Sequence, residues 1–247
     1  MRIAVISITR QGIALAGRIV TALPGAQLFA PEKFAAEAEL AAPGSAQSYA
    51  CKTGEQIGQI FAEYDALIAI FSLGALVRLI APYLQSKASD PAVVVLDEAG
   101  RFAIPVLSGH LGGANALAGR LATALGAEAV LTTASDVQQT LAVDLLGHEF
   151  GWTPDATHDA LVHASSAVVN DEPVALVQEA GRTGWWVGHA NGRSGTLPAN
   201  ITLFDRLEDV DPVHFAAVLW ISRRAMPEVL AGQLAGRCVT YRPMEDA

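Results

Sequence analysis

The densest group of residues able to do chemistry is Leu107-Ser-Gly-His-Leu-Gly-Gly-Ala-Asn115. It combines a hydroxyl (Ser108), a titratable imidazole (His110) and an amide (Asn115) with Gly109, Gly112 and Gly113. Glycines tolerate positive φ and let a ligand approach the backbone. The stretch lies between an apolar run, Phe102–Leu107, and a segment of helical spacing, Leu111–Leu125. The start of that helix would offer N–H groups and the positive dipole end to a carboxylate, phosphate or oxyanion. It is not a P-loop, since the lysine and following Ser/Thr are missing, and no GxGxxG occurs. The plainer reading is a Gly-rich turn with His110 capping the helix, although such loops concentrate function.

Three further loops follow runs read as parallel strands: Thr9-Arg-Gln-Gly12, Ser72-Leu-Gly74 and Thr132-Thr-Ala-Ser-Asp136. They are expected to open at the same sheet edge as Ser108–Asn115, giving a polar, oxygen-binding site. Its expected contributors are Thr9, Arg10, Gly12, Gly74, Arg78, Lys87, Thr132, Thr133 and Asp136, beside the glycines and Asn115. Each loop alone also fits a helix cap, Thr9 and Asp136 as N-caps. The cations are thirteen Arg and three Lys, and Arg holds carboxylates bidentately where Lys offers a point charge. Asp90 and Asp97 stand near strand ends, as catalytic groups or as turn residues. Six histidines include no HExxH, and His158 and His163 do not share a helical face, so no metal site is expected.

These loops need a scaffold. Arg2–Ile8, Ala26–Ala30, Ala66–Phe71 and Ala129–Thr132 read as strands, and Ala92–Leu96 with Phe102–Leu107 as a hairpin around Asp97-Glu-Ala-Gly100. Gly12–Leu23, Leu73–Leu84 and Leu111–Leu125 read as helices, as does the segment behind a capping box at Thr53-Gly-Glu-Gln56. Pro31–Ser48 reads as a soft connection. The implied domain, 1–136, is α/β: a mostly parallel sheet with helices on both faces and one hairpin. A second, smaller α+β domain is expected over 137–222. It has helices at Val137–Phe150 and Thr153–Val168 and short runs at Pro173–Gln178, Trp185–Gly188, Ile201–Phe204 and Ala216–Ile221, with 223–247 as a tail.

Composition narrows the function. The 247 residues are 51% hydrophobic and 17% charged, enough for a packed core. Sixteen Lys+Arg against twenty-five Asp+Glu leave a net charge of −9, which argues against a nucleic-acid partner. The longest apolar run, Ala66–Val77, falls short of the roughly 20 residues of a membrane span. The chain opens on a buried-strand pattern rather than a leader, and Cys51 and Cys238 form no disulfide framework, so a cytoplasmic protein is expected.

The stretch from Phe71 to Asp136 carries a specific resemblance. Phe71-Ser-Leu-Gly74, Val77-Arg-Leu-Ile-Ala-Pro82, Lys87, Asp90-Pro-Ala-Val93, Leu96-Asp-Glu98, Ile104–Asn115 and Leu131-Thr-Thr-Ala-Ser-Asp136 occur in that order. This resembles the CbiG family of cobalamin biosynthesis, the cobalt-precorrin-5A hydrolases, as does the opening Ile6-Ser-Ile-Thr-Arg-Gln-Gly12. Ala142-Val-Asp144 and Asn170-Asp-Glu-Pro-Val174 are similar, more loosely, to the family's central region. The resemblance implies hydrolysis of the ring-A δ-lactone of cobalt-precorrin-5A, with release of acetaldehyde and formation of cobalt-precorrin-5B. The cobalt would arrive with the substrate, and no protein cofactor is implied. His110 is then the candidate general base and the Gly112 and Gly113 N–H groups the oxyanion donors. Ser108 would orient water or act as a nucleophile, the first being preferred. Full-length members continue into a C-terminal domain, so the chain is expected to act alone or with a separate protein equivalent to it. The rival reading is a non-catalytic tetrapyrrole-binding subunit.

Overall fold

The computed structural model describes residues 1–86, 89–183, 185–186 and 196–244. The chain divides into two units, Met1–Leu131 and Thr132–Ala247.

The first unit runs β1 (Ile3–Ser7), α1 (Arg10–Ala22), β2 (Gln27–Pro31), α2 (Ala35–Ala41), β3 (Ala46–Tyr49), α3 (Thr53–Glu63), β4 (Ala66–Ile70), α4 (Leu73–Ile80), β5 (Ala92–Leu96), β6 (Phe102–Leu107), α5 (Ala114–Leu125) and β7 (Glu128–Ala129). One seven-stranded sheet has the order β3-β2-β1-β4-β5-β6-β7. All its pairings are parallel except β5 with β6. The central strands are apolar throughout because both faces are covered. Ile3, Val5, Ile68 and Val94 pack under α1, α2 and α5 through Ile13, Ile19, Ala38, Leu117 and Leu121. Ala4, Ile6, Leu67 and Val93 face α3 and α4 through Ile57, Ile60, Leu76 and Ile80.

The expected α/β class holds, with local differences. Pro31–Ser48 is structured: Ala38 and Ala42 lock α2 into the core, and β3 extends the sheet beyond β2. The expected capping box is not formed, because Lys52 takes the N-cap position and the Thr53 hydroxyl meets Tyr49 Oη at 3.3 Å. α4 stops at Ile80, ahead of Pro82. α5 begins three residues later than expected, and β7 has two residues.

The second unit contains α6 (Ala134–Val137), β8 (Thr153–Asp155), α7 (His158–Val169), β9 (Val174–Gln178), β10 (Ile201–Phe204), β11 (Ala217–Ile221), α8 (Glu228–Ala231) and β12 (Cys238–Arg242). Its sheet has the order β10-β9-β11-β12-β8, four parallel strands with β8 antiparallel at the edge. The region expected as α+β is thus built on a mostly parallel sheet. The segment expected as a tail supplies an interior strand, β12, with Val239 and Tyr241 in the core.

The expected helix Val137–Phe150 is absent. The chain turns at Gln139 (φ 54°) and continues irregularly through two short 3₁₀ turns, Val143–Leu145 and His148–Phe150, with Leu141, Val143 and Leu146 buried along it. Their spacing suits a helix, but tertiary burial of an irregular segment satisfies it equally. Thr153-Pro154 opens a strand instead of a helix, where Pro154 stands on an edge and needs no ladder N–H. The helix starts after Thr157, whose side chain accepts from Ala160 N at 3.2 Å. Trp185 and Trp186 form a turn and meet edge-to-face at 6.2 Å, while 187–188 lie outside the described residues. Among the described residues no helix is long and apolar enough to cross a membrane.

Candidate active site

Ser108–Gly113 is wound into a tight cover over the start of α5. Ser108 has φ 53°, a left-handed conformation rare for a residue with a side chain. Its hydroxyl donates to the Asp90 carbonyl at 2.8 Å, and its carbonyl accepts from Ala114 N at 3.1 Å. Asn115 N donates to the Gly109 carbonyl at 2.9 Å, and Gly113 N to the His110 carbonyl at 2.8 Å. The close return leaves no room for a side chain at Gly112, where a Cβ would lie 2.3 Å from Ser108 Cβ. Gly113, at φ +87°, turns the chain into the helix.

The helix start is therefore not the open anion site that the composition suggested. Gly113, Ala114 and Asn115 direct their N–H groups to carbonyls of the loop itself. Gly113 is excluded as an oxyanion donor. The Gly112 N–H has no backbone acceptor among the described residues. Ser108, His110 and Asn115 are half-buried around it, with the Asn115 amide against Gly109, where a Cβ would lie 2.7 Å from Oδ1.

The loop also lies at a different edge of the sheet from the one expected. β6 runs against β5, with Leu107 opposite Val93 and Ala103 opposite Leu96. Ser108 consequently emerges where β1, β4 and β5 begin, whereas Thr9–Gly12 and Ser72–Gly74 follow the ends of β1 and β4. Five residues of strand at about 3.3 Å each put roughly 15 Å between the two edges. The expected convergence of these loops does not occur.

At the carboxyl edge the residues are engaged structurally. Thr9 caps α1, accepting from Gly12 N at 3.2 Å and donating to Glu98. A Cβ at Gly12 would lie 2.3 Å from Ser7 Oγ, so this glycine lets α1 approach β1. Arg10 is exposed and paired with Glu37 of α2 at 3.0 Å. Gly74 is exposed at the start of α4, and Arg78 folds back to its carbonyl at 3.4 Å. Asp97 is a turn residue: its Oδ1 accepts from Arg101 N and Phe102 N at 2.8 and 2.9 Å. Burial pushes its pKa up, but these bonds and the Arg101 guanidinium outweigh that and leave it below the usual value.

Beside the Ser108 loop, Asp90 takes the turn role that was one of its two expected readings. It accepts from Gln85 N and Ser86 N at 3.0 and 3.2 Å, and its carbonyl receives the Ser108 hydroxyl. The signal was an Asp directly before Pro91 and a buried strand, where such side chains close turns. Lys87 lies outside the described residues. Thr132, Thr133 and Asp136 belong to the second unit, with Thr133 at the N-cap of α6 and Asp136 inside it. Among the described residues no group of three His, Cys, Asp or Glu is placed to hold a metal ion.

Residues 55–136 match the Cobalamin synthesis G N-terminal family and residues 141–243 the Cobalamin biosynthesis central region. The chain belongs to the cobalamin synthesis G family. It is 37% identical over 240 residues to the cobalt-precorrin-5A hydrolase of Priestia megaterium, covering 97% of this chain and 62% of that protein. It is 38% identical over 184 residues to the cobalt-precorrin-5A hydrolase of Salmonella typhimurium, covering 74% and 48%. The chain thus spans less than two thirds of the relatives it matches. A crystal structure of a cobalamin biosynthesis protein G homolog from Sulfolobus solfataricus is similar over 98% of this chain and 60% of its own, at a TM-score of 0.50 and 20% identity. That likeness supports the fold alone. The family's N-terminal match contains the whole Ser108–Asn115 loop.

Proposed function

We propose that this chain is a cytoplasmic cobalt-precorrin-5A hydrolase, opening the ring-A δ-lactone with water and releasing acetaldehyde. The observation that carries the reading is the 37% identity to one such hydrolase along 97% of the chain. The Ser108–Asn115 loop supplies groups suited to the reaction. His110 takes a proton from water as its oxygen attacks the lactone carbonyl, a role suited to an imidazole at neutral pH. The Gly112 N–H, beside the positive end of α5, receives the tetrahedral oxyanion. Collapse breaks the ring C–O bond, leaving a carboxylate and a hydroxyl. Loss of the hydroxyl proton then breaks the adjacent C–C bond, so that acetaldehyde leaves and the electron pair stays on the macrocycle. Because the Ser108 hydroxyl donates to a backbone carbonyl, which cannot serve as a base, Ser108 is assigned to holding water rather than to attack.

The test is acetaldehyde release from cobalt-precorrin-5A by the purified chain, beside the Priestia megaterium enzyme. His110→Ala lowers turnover about 10²–10⁴-fold, roughly 3–5 kcal/mol, with little change in substrate affinity. No acetaldehyde from the chain where the relative turns over refutes the activity. Normal turnover in folded His110→Ala refutes the base.

A further inference from the structure

The second unit has its own crevice, outside the loop described above. β9, β10 and β11 are parallel, and the chain passes from β9 to β10 on one side and on to β11 on the other. Open α/β sheets bind ligands at the carboxyl ends of strands where the order reverses in this way. Here Glu179 follows β9, Asp205 and Arg206 follow β10, and Ser222 and Arg224 follow β11, around a cavity of about 580 Å³.

Arg224 is held there in a fixed orientation. Its guanidinium lies 5.4 Å from the ring of Trp220, which is fully buried. One edge is occupied by Glu179, with Nε and Nη2 at 2.7 and 2.5 Å. The other is occupied by Glu208, with Nη1 and Nη2 at 2.7 and 2.9 Å. The two carboxylates are not equivalent. The Glu179 side chain is 12% exposed and also accepts from Leu207 N at 2.9 Å, whereas that of Glu208 is 41% exposed. Exposed ion pairs are weak, so the second edge of the fork is exchangeable.

We propose that this crevice binds a carboxylate group of a small molecule, which replaces Glu208 on the outer edge of Arg224. The planar two-bond geometry already made with Glu208 is the one such a group reproduces. Displaced Glu208 keeps a cation nearby, since Arg206 Nε lies 3.7 Å from it. Asp205 shares the wall with Arg206 and Arg223, so the planar two-bond fork of Arg224, rather than the net charge of the crevice, is what favours a carboxylate. Occupancy of this crevice is read without turnover, so its failure is distinguishable from failure of the reaction proposed above.

The probe is sodium propionate titrated into ¹⁵N-labelled protein, with the arginine Nε–H signals followed by NMR. A saturable shift of the Arg224 signal is expected. Glu208→Gln removes the internal competitor and tightens binding about two- to fivefold, the range an exposed pair is worth. Arg224→Lys, read from the remaining crevice signals, weakens it about tenfold or more, because a point charge replaces the fork. Glu208 is exposed, so its variant tests the proposal even if the Arg224 variant fails to fold. No saturation in either wild type or Glu208→Gln up to roughly 100 mM overturns the site. So does Glu208→Gln binding no tighter than wild type, or inorganic phosphate binding as tightly as propionate.

Discussion

Gly112→Ala and Gly113→Ala form a contrasting pair that tests whether the Ser108 loop is a catalytic device. At Gly112 an added methyl would sit 2.3 Å from Ser108 Cβ and 2.7 Å from the Ser108 carbonyl oxygen. The loop must open, endangering the bonds from Ser108 Oγ to Asp90 O and from Ala114 N to Ser108 O. At about 0.5–1.5 kcal/mol each, their loss destabilises the first unit by about 1–3 kcal/mol. At Gly113 nothing lies within 4 Å of the added methyl, but φ is +87°. A left-handed alanine costs about 1–2 kcal/mol without moving its neighbours. The two variants are therefore matched in stability and differ in loop geometry. A shift of about 1 Å in reacting groups reduces rate about 10²-fold, so Gly112→Ala loses turnover by that factor and Gly113→Ala keeps most of it. Melting temperature and acetaldehyde release are measured on the same preparations. Wild-type turnover in Gly112→Ala, or equal losses in both, refutes the assignment of the loop.

Thr9→Ala removes an N-cap and lowers stability by about 1 kcal/mol in urea titration, while turnover per folded molecule is unchanged because Thr9 lies at the opposite sheet edge. Burial pushes Glu179 up, but its bonds to Arg224, Leu207 N and Ser222 bring it down from 4.5 to about 2. Its stabilising effect is thus complete above pH 4.5 and lost as pH falls towards 2, worth about 1–3 kcal/mol after allowing for solvent at the pair. Glu179→Gln flattens that window in acid-unfolding curves, and an unchanged slope refutes the pairing. Tyr241 is fully buried and donates to the Val143 carbonyl at 2.6 Å, so Tyr241→Phe costs about 1–3 kcal/mol of second-unit stability, and a loss near zero shows that this carbonyl finds another partner.

Much of the first unit was legible because its signals are local. Ile3–Ile6 and Ala66–Ile70 are unbroken apolar runs, and Thr9 stands where a cap is needed. The Asp97 turn announced a hairpin, which is present. The second unit was less legible because its order is tertiary. β12 is preceded by Arg237 and ends on Arg242, so its sequence resembles a surface segment. Val239 and Tyr241 become interior only through pairing with β11. Likewise 141–146 has helical spacing but fills a core from irregular backbone.

The position of the candidate loop was misread, although the hairpin already fixed that position. A strand joined to its neighbour by the Asp97–Gly100 turn must run back along it, so Ser108, just past β6, leaves from the edge where β5 began. A hairpin there and a common edge for Ser108, Thr9 and Ser72 exclude one another. The reversal changes the chemistry available. At the carboxyl edge, the first N–H groups of α1 and α4, apart from those already bonded to Thr9 and Ser72, would have faced an anionic ligand. At the amino edge the loop meets Asp90 and the start of α5, and most of that helix's first N–H groups are closed by the loop itself. The proposed catalysis at Ser108–Asn115 therefore draws on His110 and the Gly112 amide, in a loop turned by a left-handed Ser108, rather than on a general anion hole.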